Sequence, residues 1–285
     1  MSPLVQLATD NHDRNSAALR YVYPVVSRRA NGVSVGINLN TNNACNWHCL
    51  YCQVPNLQRG TAPVVDLAVL ESELRGFLRE LLQGDFMQSR VPEGMRRLND
   101  IALSGNGEPT SASEFSRVIQ LIGDIRHELL LPDTVKTVLI SNGSLLYRSD
   151  VQQGLRKLAT LNGEVWFKLD RASQLGIQLI NDTRISMTQV RDNLLTALAL
   201  CPTWLQTCWF ALDNNPPDRQ DEADYLEFVS ALLKEGHQLQ GVLLYGLARP
   251  SLQVDAQRLS ALSAEKLETF AGCISKLGLT VKVSL

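Results

Sequence analysis

From residue 33 to the C-terminus, short apolar runs alternate with helix-length amphipathic stretches. Val33, Val35, Ile37 and Leu39 alternate with smaller or polar residues, the period of a strand. Leu67, Leu70, Leu74, Phe77 and Leu81 then recur at helical spacing across residues 66–83. Strand-like runs return at 100–105, 137–143, 165–170, 205–212 and 241–246, and a last one covers 279–285. Between them, Ser111 and Glu114 have the spacing of a capping box ahead of the apolar stripe Phe115, Val118, Ile119, Ile122 and Ile125. Further helical patterns occupy 149–159, 186–199, 221–235 and 262–277.

Strands separated by helices make βαβ units, which assemble into a parallel sheet. Six such units predict an α/β fold of the partial (β/α)6 barrel type rather than the closed eight-unit form. Sheets of this kind carry their functional residues at the C-terminal ends of the strands. Chemistry is therefore expected in the loops after Leu39, Leu103, Ile140, Leu169, Ala211 and Leu244. Residues 1–30 precede the pattern and read as an arm or lid. Residues 31–285 read as the core barrel with a C-terminal extension, and the polar stretch 213–224 as a loop.

With 45% hydrophobic and 20% charged residues in 285, the chain can bury a large core, which excludes bulk disorder. No run of about 18 uncharged apolar residues is present, so no membrane span is expected. A net charge of −2 argues against a nonspecific grip on long nucleic acid. The N-terminus lacks a secretory pattern, so the expected setting is cytoplasmic and reducing. Six cysteines there call for metal binding or catalysis rather than disulfides.

Three of them form one group, Cys45-x3-Cys49-x2-Cys52, placed just after the first strand. Three thiolates on one short loop can hold one face of an iron–sulfur cube and leave its fourth iron open to a small molecule. The alternative is a structural zinc ion, which needs a fourth ligand from His48 or from a remote residue. A second segment, Gly105-Asn106-Gly107-Glu108-Pro109, follows the second strand. Glycine there lets backbone approach a ligand closely, and the Glu108 carboxylate suits a cationic amino group.

The two segments together resemble the radical S-adenosylmethionine (radical SAM) superfamily. The cysteine spacing is that family's cluster motif, and Gly105 to Glu108 resembles its Gly-Gly-Glu motif with Asn106 in place of a Gly. The resemblance implies a [4Fe–4S] cluster on Cys45, Cys49 and Cys52 and S-adenosylmethionine as cofactor. It implies an oxidoreductase-type enzyme that forms a 5′-deoxyadenosyl radical and abstracts hydrogen from an unidentified substrate. Tyr51 is expected near the adenine, and Gly105, Asn106, Gly107 and Glu108 near the methionyl amino group. Ser141, Asn142, Lys168 and Asp170, at the next two strand ends, are expected to touch the nucleoside or the methionyl carboxylate. An external electron donor such as flavodoxin or ferredoxin is implied as partner.

CLYCQ, LSGNGEPT, ISNGSLL and FKLDRAS also resemble the bacterial and archaeal subgroup related to wyosine-forming tRNA enzymes. In that group Arg249 of the ARPS segment would hold an anionic substrate group, and tRNA would be a possible substrate. Arg28, Arg29, Arg96 and Arg97 are candidate basic patches or simply solvated charges. A cluster-bearing electron carrier or sensor without radical chemistry stands as a further alternative. Cys201, Cys208 and Cys273 read as packing residues.

Overall fold

The computed structural model describes residues 18–27 and 32–285. Most of the expected N-terminal arm, with Arg28 and Arg29, lies outside the described residues.

One eight-stranded sheet runs in chain order. Its strands are β1 (Val22–Ser27), β2 (Gly32–Ile37), β3 (Leu98–Leu103), β4 (Lys136–Ser141), β5 (Gly163–Lys168), β6 (Thr203–Cys208), β7 (Gly241–Tyr245) and β8 (Val281–Ser284). Strands β2 to β8 are parallel and β1 is antiparallel to β2. The sheet curls but does not close, since β1 and β8 do not pair; this is the expected partial barrel. Helices α1 (Leu67–Gln83), α2 (Phe115–Glu128), α3 (Ser149–Thr160), α4 (Gln174–Asn181), α5 (Met187–Leu200), α6 (Arg219–Lys234) and α7 (Ala264–Ser275) fill the crossovers.

Side-chain alternation gives the sheet two different faces. On β5, Val165 and Phe167 are buried in the apolar layer under the helices, while Glu164, Trp166 and Lys168 turn to the concave side and keep partial exposure. Leu205 and Leu244 continue the helix-facing layer, with Leu70, Leu74, Leu155 and Val229 packed over it. The convex face thus supplies the core, and the concave face mixes polar residues such as Asp100, Glu164, Lys168 and Gln206 with apolar ones such as Val138, Trp166, Trp204 and Leu243.

Four local expectations are corrected. Residues 22–27 are not part of an arm but form the edge strand β1, whose Pro24 suits an edge. Ser111 does not cap α2: Pro109 seeds a tight turn over Pro109–Ser111, and the helix starts after Glu114 without a side-chain cap. The stretch 213–224 divides, because Asp218 and Asp221 form a capping box that starts α6 at Arg219. The run 205–212 leaves the sheet at Cys208, and Ala211–Leu212 pair instead with Leu259–Ser260.

Near the N-terminal end of the concave face, Asp100 is buried and accepts a hydrogen bond from the Ser34 hydroxyl. Burial lifts its carboxyl to about 6, with Glu164 adding to the shift and Ser34 opposing it. A folded-state value above the unfolded one means that stability falls as pH rises from about 4 to about 6. Asp100→Asn is therefore expected to stabilise the chain at about pH 8 by up to roughly 3 kcal/mol, and to gain little at about pH 4. Urea unfolding at the two pH values measures it; an equal gain at both would contradict the assignment.

Candidate active site

Cys45, Cys49 and Cys52 lie on the loop that leaves β2 at the C-terminal mouth of the barrel. The loop is closed by its own short ladder, Ala44–Cys45 pairing with Gln58–Arg59. Its middle docks on the end of α4, where His48 N–H and Leu50 N–H donate to the carbonyls of Asn181 (3.1 Å) and Ile180 (2.9 Å). From the other side, Ser251 Oγ donates to Leu50 O at 2.6 Å and to Cys52 O at 3.1 Å. Gln253 Nε2 donates to Cys52 O at 3.1 Å and Val54 O at 2.9 Å. Arg59 ties the rear of the loop to the Asn46 carbonyl and to Asp182.

The sulfurs already receive N–H groups: Asn181 Nδ2 lies 3.3 Å from Cys49 Sγ, and Trp47 N lies 3.5 Å from Cys45 Sγ. Burial pushes the thiols up, Cys45 to about 11 and Cys49 to about 12, and the charge of Cys52 adds to both shifts. All six cysteines are free. Among the described residues no three His, Cys, Asp or Glu side chains are drawn together as a ready metal cage. The three thiols share a loop; burial keeps Cys45 and Cys49 protonated at neutral pH, and a bound metal would displace those protons. The donor set fits an iron–sulfur cluster in its chemistry: three thiols on one loop, N–H donors on two sulfurs, and the Lys168 cation acting on Cys49.

The Gly105–Glu108 segment follows β3 and packs directly on this loop. Asn38 Oδ1 accepts from Asn106 N at 3.0 Å, and Asn106 Nδ2 donates to Asn43 Oδ1 at 2.6 Å. A Cβ on Gly105 would stand 2.3 Å from Asn38 Oδ1, and one on Gly107 would stand 2.0 Å from the Ala44 carbonyl. The glycines are required for close approach between segments. Glu108 is 2% exposed and takes four hydrogen bonds. Thr110 N (3.1 Å), Thr110 Oγ1 (2.6 Å) and Ser141 Oγ (2.7 Å) bind Oε1, and Asn142 N (2.7 Å) binds Oε2. Burial raises the carboxyl pKa and these donors oppose it. Asn142 Nδ2 also donates to Asn46 Oδ1 at 2.9 Å, so the β4 end meets the cysteine loop directly.

Asp170, just past β5, is a second buried junction. It accepts from Tyr51 OH, from Asn181 Nδ2 at 2.7 Å and from Cys208 N at 2.9 Å. Lys168 Nζ donates to Tyr245 OH at 3.1 Å and sits 5.0 Å from the centroid of the Tyr51 ring. Burial lowers the Lys168 pKa, but Tyr245, Asp170 and Cys49 outweigh it and the net direction is up. Lys168 therefore stays an ammonium.

Twelve of the sequence-expected residues, from Cys45 to Asp170, thus gather at one barrel mouth. Arg249 is half-buried on the segment that clamps the loop, and its carbonyl accepts from Gln53 Nε2 at 3.4 Å. Arg96 spends its guanidinium on the carbonyls of Val91 and Gln88. Cys208 packs under the loop beside Tyr51 and Phe210, Cys201 is buried under α5, and Cys273 lies on α7. Sequence reasoning missed Asn38, Asn46, Asn181, Ser251 and Gln253. The density of asparagines in residues 38–46 hinted at Asn38 and Asn46 alone.

The chain matches no protein-family model. It is 26% identical over 189 residues to a UPF0026 protein of Helicobacter pylori strain J99, covering 62% of this chain and 54% of that one. To the UPF0026 protein of a second H. pylori strain it is 24% identical over 224 residues, covering 74% and 61%. The chain thus spans little more than half the length of these relatives. Its fold is similar to a radical SAM methyltransferase from Sphaerobacter thermophilus, with a TM-score of 0.58, 12% identity, and 92% of this chain and 68% of that one covered. HydG, a maturase of the [FeFe]-hydrogenase, superposes with a TM-score of 0.55 at 13% identity over 85% of this chain and 49% of its own. SuiB of Streptococcus suis, solved with S-adenosylmethionine bound, gives 0.51 at 10% identity over 84% and 44%. The chain therefore has the partial-barrel fold that radical SAM enzymes share.

Proposed function

We propose that the chain is a radical SAM enzyme whose cluster is held by Cys45, Cys49 and Cys52. The observation that carries this reading is the direct stitching of the cysteine loop to the Glu108 turn through Asn43–Asn106, and to the end of β4 through Asn46–Asn142, at the mouth of a partial barrel. A [4Fe–4S] cluster bound there would supply the electron for reductive cleavage of S-adenosylmethionine, with an external donor such as flavodoxin or ferredoxin reducing it.

The chain's own residues supply position and electrostatics. Glu108 Oε2 carries a single hydrogen bond and keeps lone-pair capacity for the methionyl ammonium, while Ser141 and Asn142 hold the carboxylate in place. Gly105 and Gly107 keep the backbone close to the loop, and Asn106 braces it. Asp170 orients Tyr51 toward the adenine, and its own oxygens are occupied, so it acts as a positioning residue. Among the described residues no helix is long and apolar enough to cross a membrane. Modification of tRNA, which the wyosine-type resemblance puts forward, would require salt-dependent tRNA binding.

Anaerobic reconstitution with iron and sulfide, then dithionite and S-adenosylmethionine, is expected to yield 5′-deoxyadenosine from the intact chain and none from Cys49→Ala. A fully clustered chain that makes none, with or without cell extract as a substrate source, would favour an electron carrier or sensor. Gly107→Ala is expected to displace the Ala44–Cys45 ladder and to lower iron retained per chain at least severalfold. Unchanged iron content and thermal midpoint would show that the close approach does not hold the loop.

A further inference from the structure

The residues on either side of Cys49 are held by the end of α4, and so is its sulfur. His48 N–H and Leu50 N–H donate to the carbonyls of Asn181 and Ile180, which sets the Cys49 side chain against the Asn181 amide. Asn181 is the last residue of α4 and is 1% exposed. A side-chain amide carries two N–H groups, and here two acceptors meet them. Asp170 accepts from Nδ2 at 2.7 Å, and Cys49 Sγ lies 3.3 Å from the same nitrogen. Asn181 Oδ1 is buried with no hydrogen-bond partner among the described residues.

Asp170 decides which way this amide lies. Turning it over would bring Oδ1 against the carboxylate, acceptor against acceptor. Asp170 is anchored in turn, since it also accepts from Tyr51 OH and from Cys208 N. The donor at Cys49 is therefore placed by the barrel frame and not by the cysteine loop. Cys45 differs, because the N–H near its sulfur comes from Trp47, two residues along the same loop. An unpaired buried amide oxygen is costly, and the fold bears that cost where the amide's donors meet a carboxylate and a sulfur.

Reduction of an iron–sulfur cluster by one electron adds negative charge that its sulfurs share. An N–H donor on a sulfur stabilises that reduced form more than the oxidised one. We propose that Asn181 raises the reduction potential of the cluster by donating an N–H···S hydrogen bond to Cys49. The bond is supplied by a residue 132 positions away and is independent of the loop's own backbone. This rests on the cluster assignment made above, but not on cleavage of the cofactor.

A redox titration of the reconstituted chain, followed by electron paramagnetic resonance, tests it. Asn181→Leu is close in size and keeps both backbone anchors. It is expected to lower the potential by up to ~59 mV, a tenfold change in a one-electron equilibrium and about the worth of one net hydrogen bond. Tyr51→Phe removes another donor from the same Asp170 oxygen without touching the sulfur, and is expected to leave the potential close to that of the unaltered chain. In the unaltered chain with isotopically labelled asparagine, pulsed resonance of the reduced cluster is expected to show a coupled asparagine nitrogen that Asn181→Leu and Asn181→Ala lose. An unchanged potential in Asn181→Leu, an equal fall in Tyr51→Phe, or no coupled asparagine nitrogen in the unaltered chain would overturn the proposal. If neither Asn181 variant takes up a cluster, the labelled unaltered chain decides. The expected shift in a chain that makes no 5′-deoxyadenosine would reject the radical reading and leave the role of Asn181 standing. A chain that takes zinc and no iron would overturn both.

Discussion

Two buried carboxylates hold the barrel mouth in one arrangement, and the site depends on them. Glu108 gathers donors from its own turn and from the end of β4, and Asp170 gathers Tyr51, Asn181 and the end of β6. A buried carboxylate is costly unless fully hydrogen-bonded, so each one fixes the elements that supply its donors. Between them they span the strand ends from β3 to β6. The cysteine loop, with only two-residue strands of its own, takes its shape from this frame and from the Ser251–Gln253 clamp behind it.

The electrostatics follow from the same frame. Burial keeps Cys45 and Cys49 protonated, and a metal bound there would supply the charge that makes them thiolates. Asn181 couples the two sides of the mouth, since its Nδ2 reaches both Asp170 and Cys49 Sγ. Lys168 adds a fixed cation behind the loop, beside Tyr51 and Tyr245. Below it on the same face of the sheet lie Gln206 and Trp166.

The parts legible in the sequence were those whose signal is local. The 2- and 3.6-residue periods gave the parallel strands and most helices, and the spacing Cys45, Cys49, Cys52 placed three thiols on one loop whatever the rest of the chain did. Strand ends were legible too, so Ser141, Asn142, Lys168 and Asp170 fell where the mouth is. What stayed hidden depends on tertiary closure. The strand β1 is short, contains Pro24 and exists through its pairing with β2. Ser111 and Glu114 have cap spacing, but Pro109 turned the backbone first, and their side chains serve Ala62 and Val65 instead. Asn181 sits at the end of a helix too short to show its period, 132 residues from the sulfur it touches. Gln206 reads as one polar residue in an apolar run until its neighbours' directions are known.

The central claim is that the cysteine loop holds a cluster with an iron open to the cofactor beside Glu108. Electron paramagnetic resonance of the reconstituted, dithionite-reduced chain, recorded before and after addition of S-adenosylmethionine, tests it most directly. The account predicts a reduced [4Fe–4S] signal that changes shape on addition of the cofactor and is absent from Cys52→Ala. A signal indifferent to S-adenosylmethionine, or a chain that carries tightly bound zinc and no iron, would contradict it.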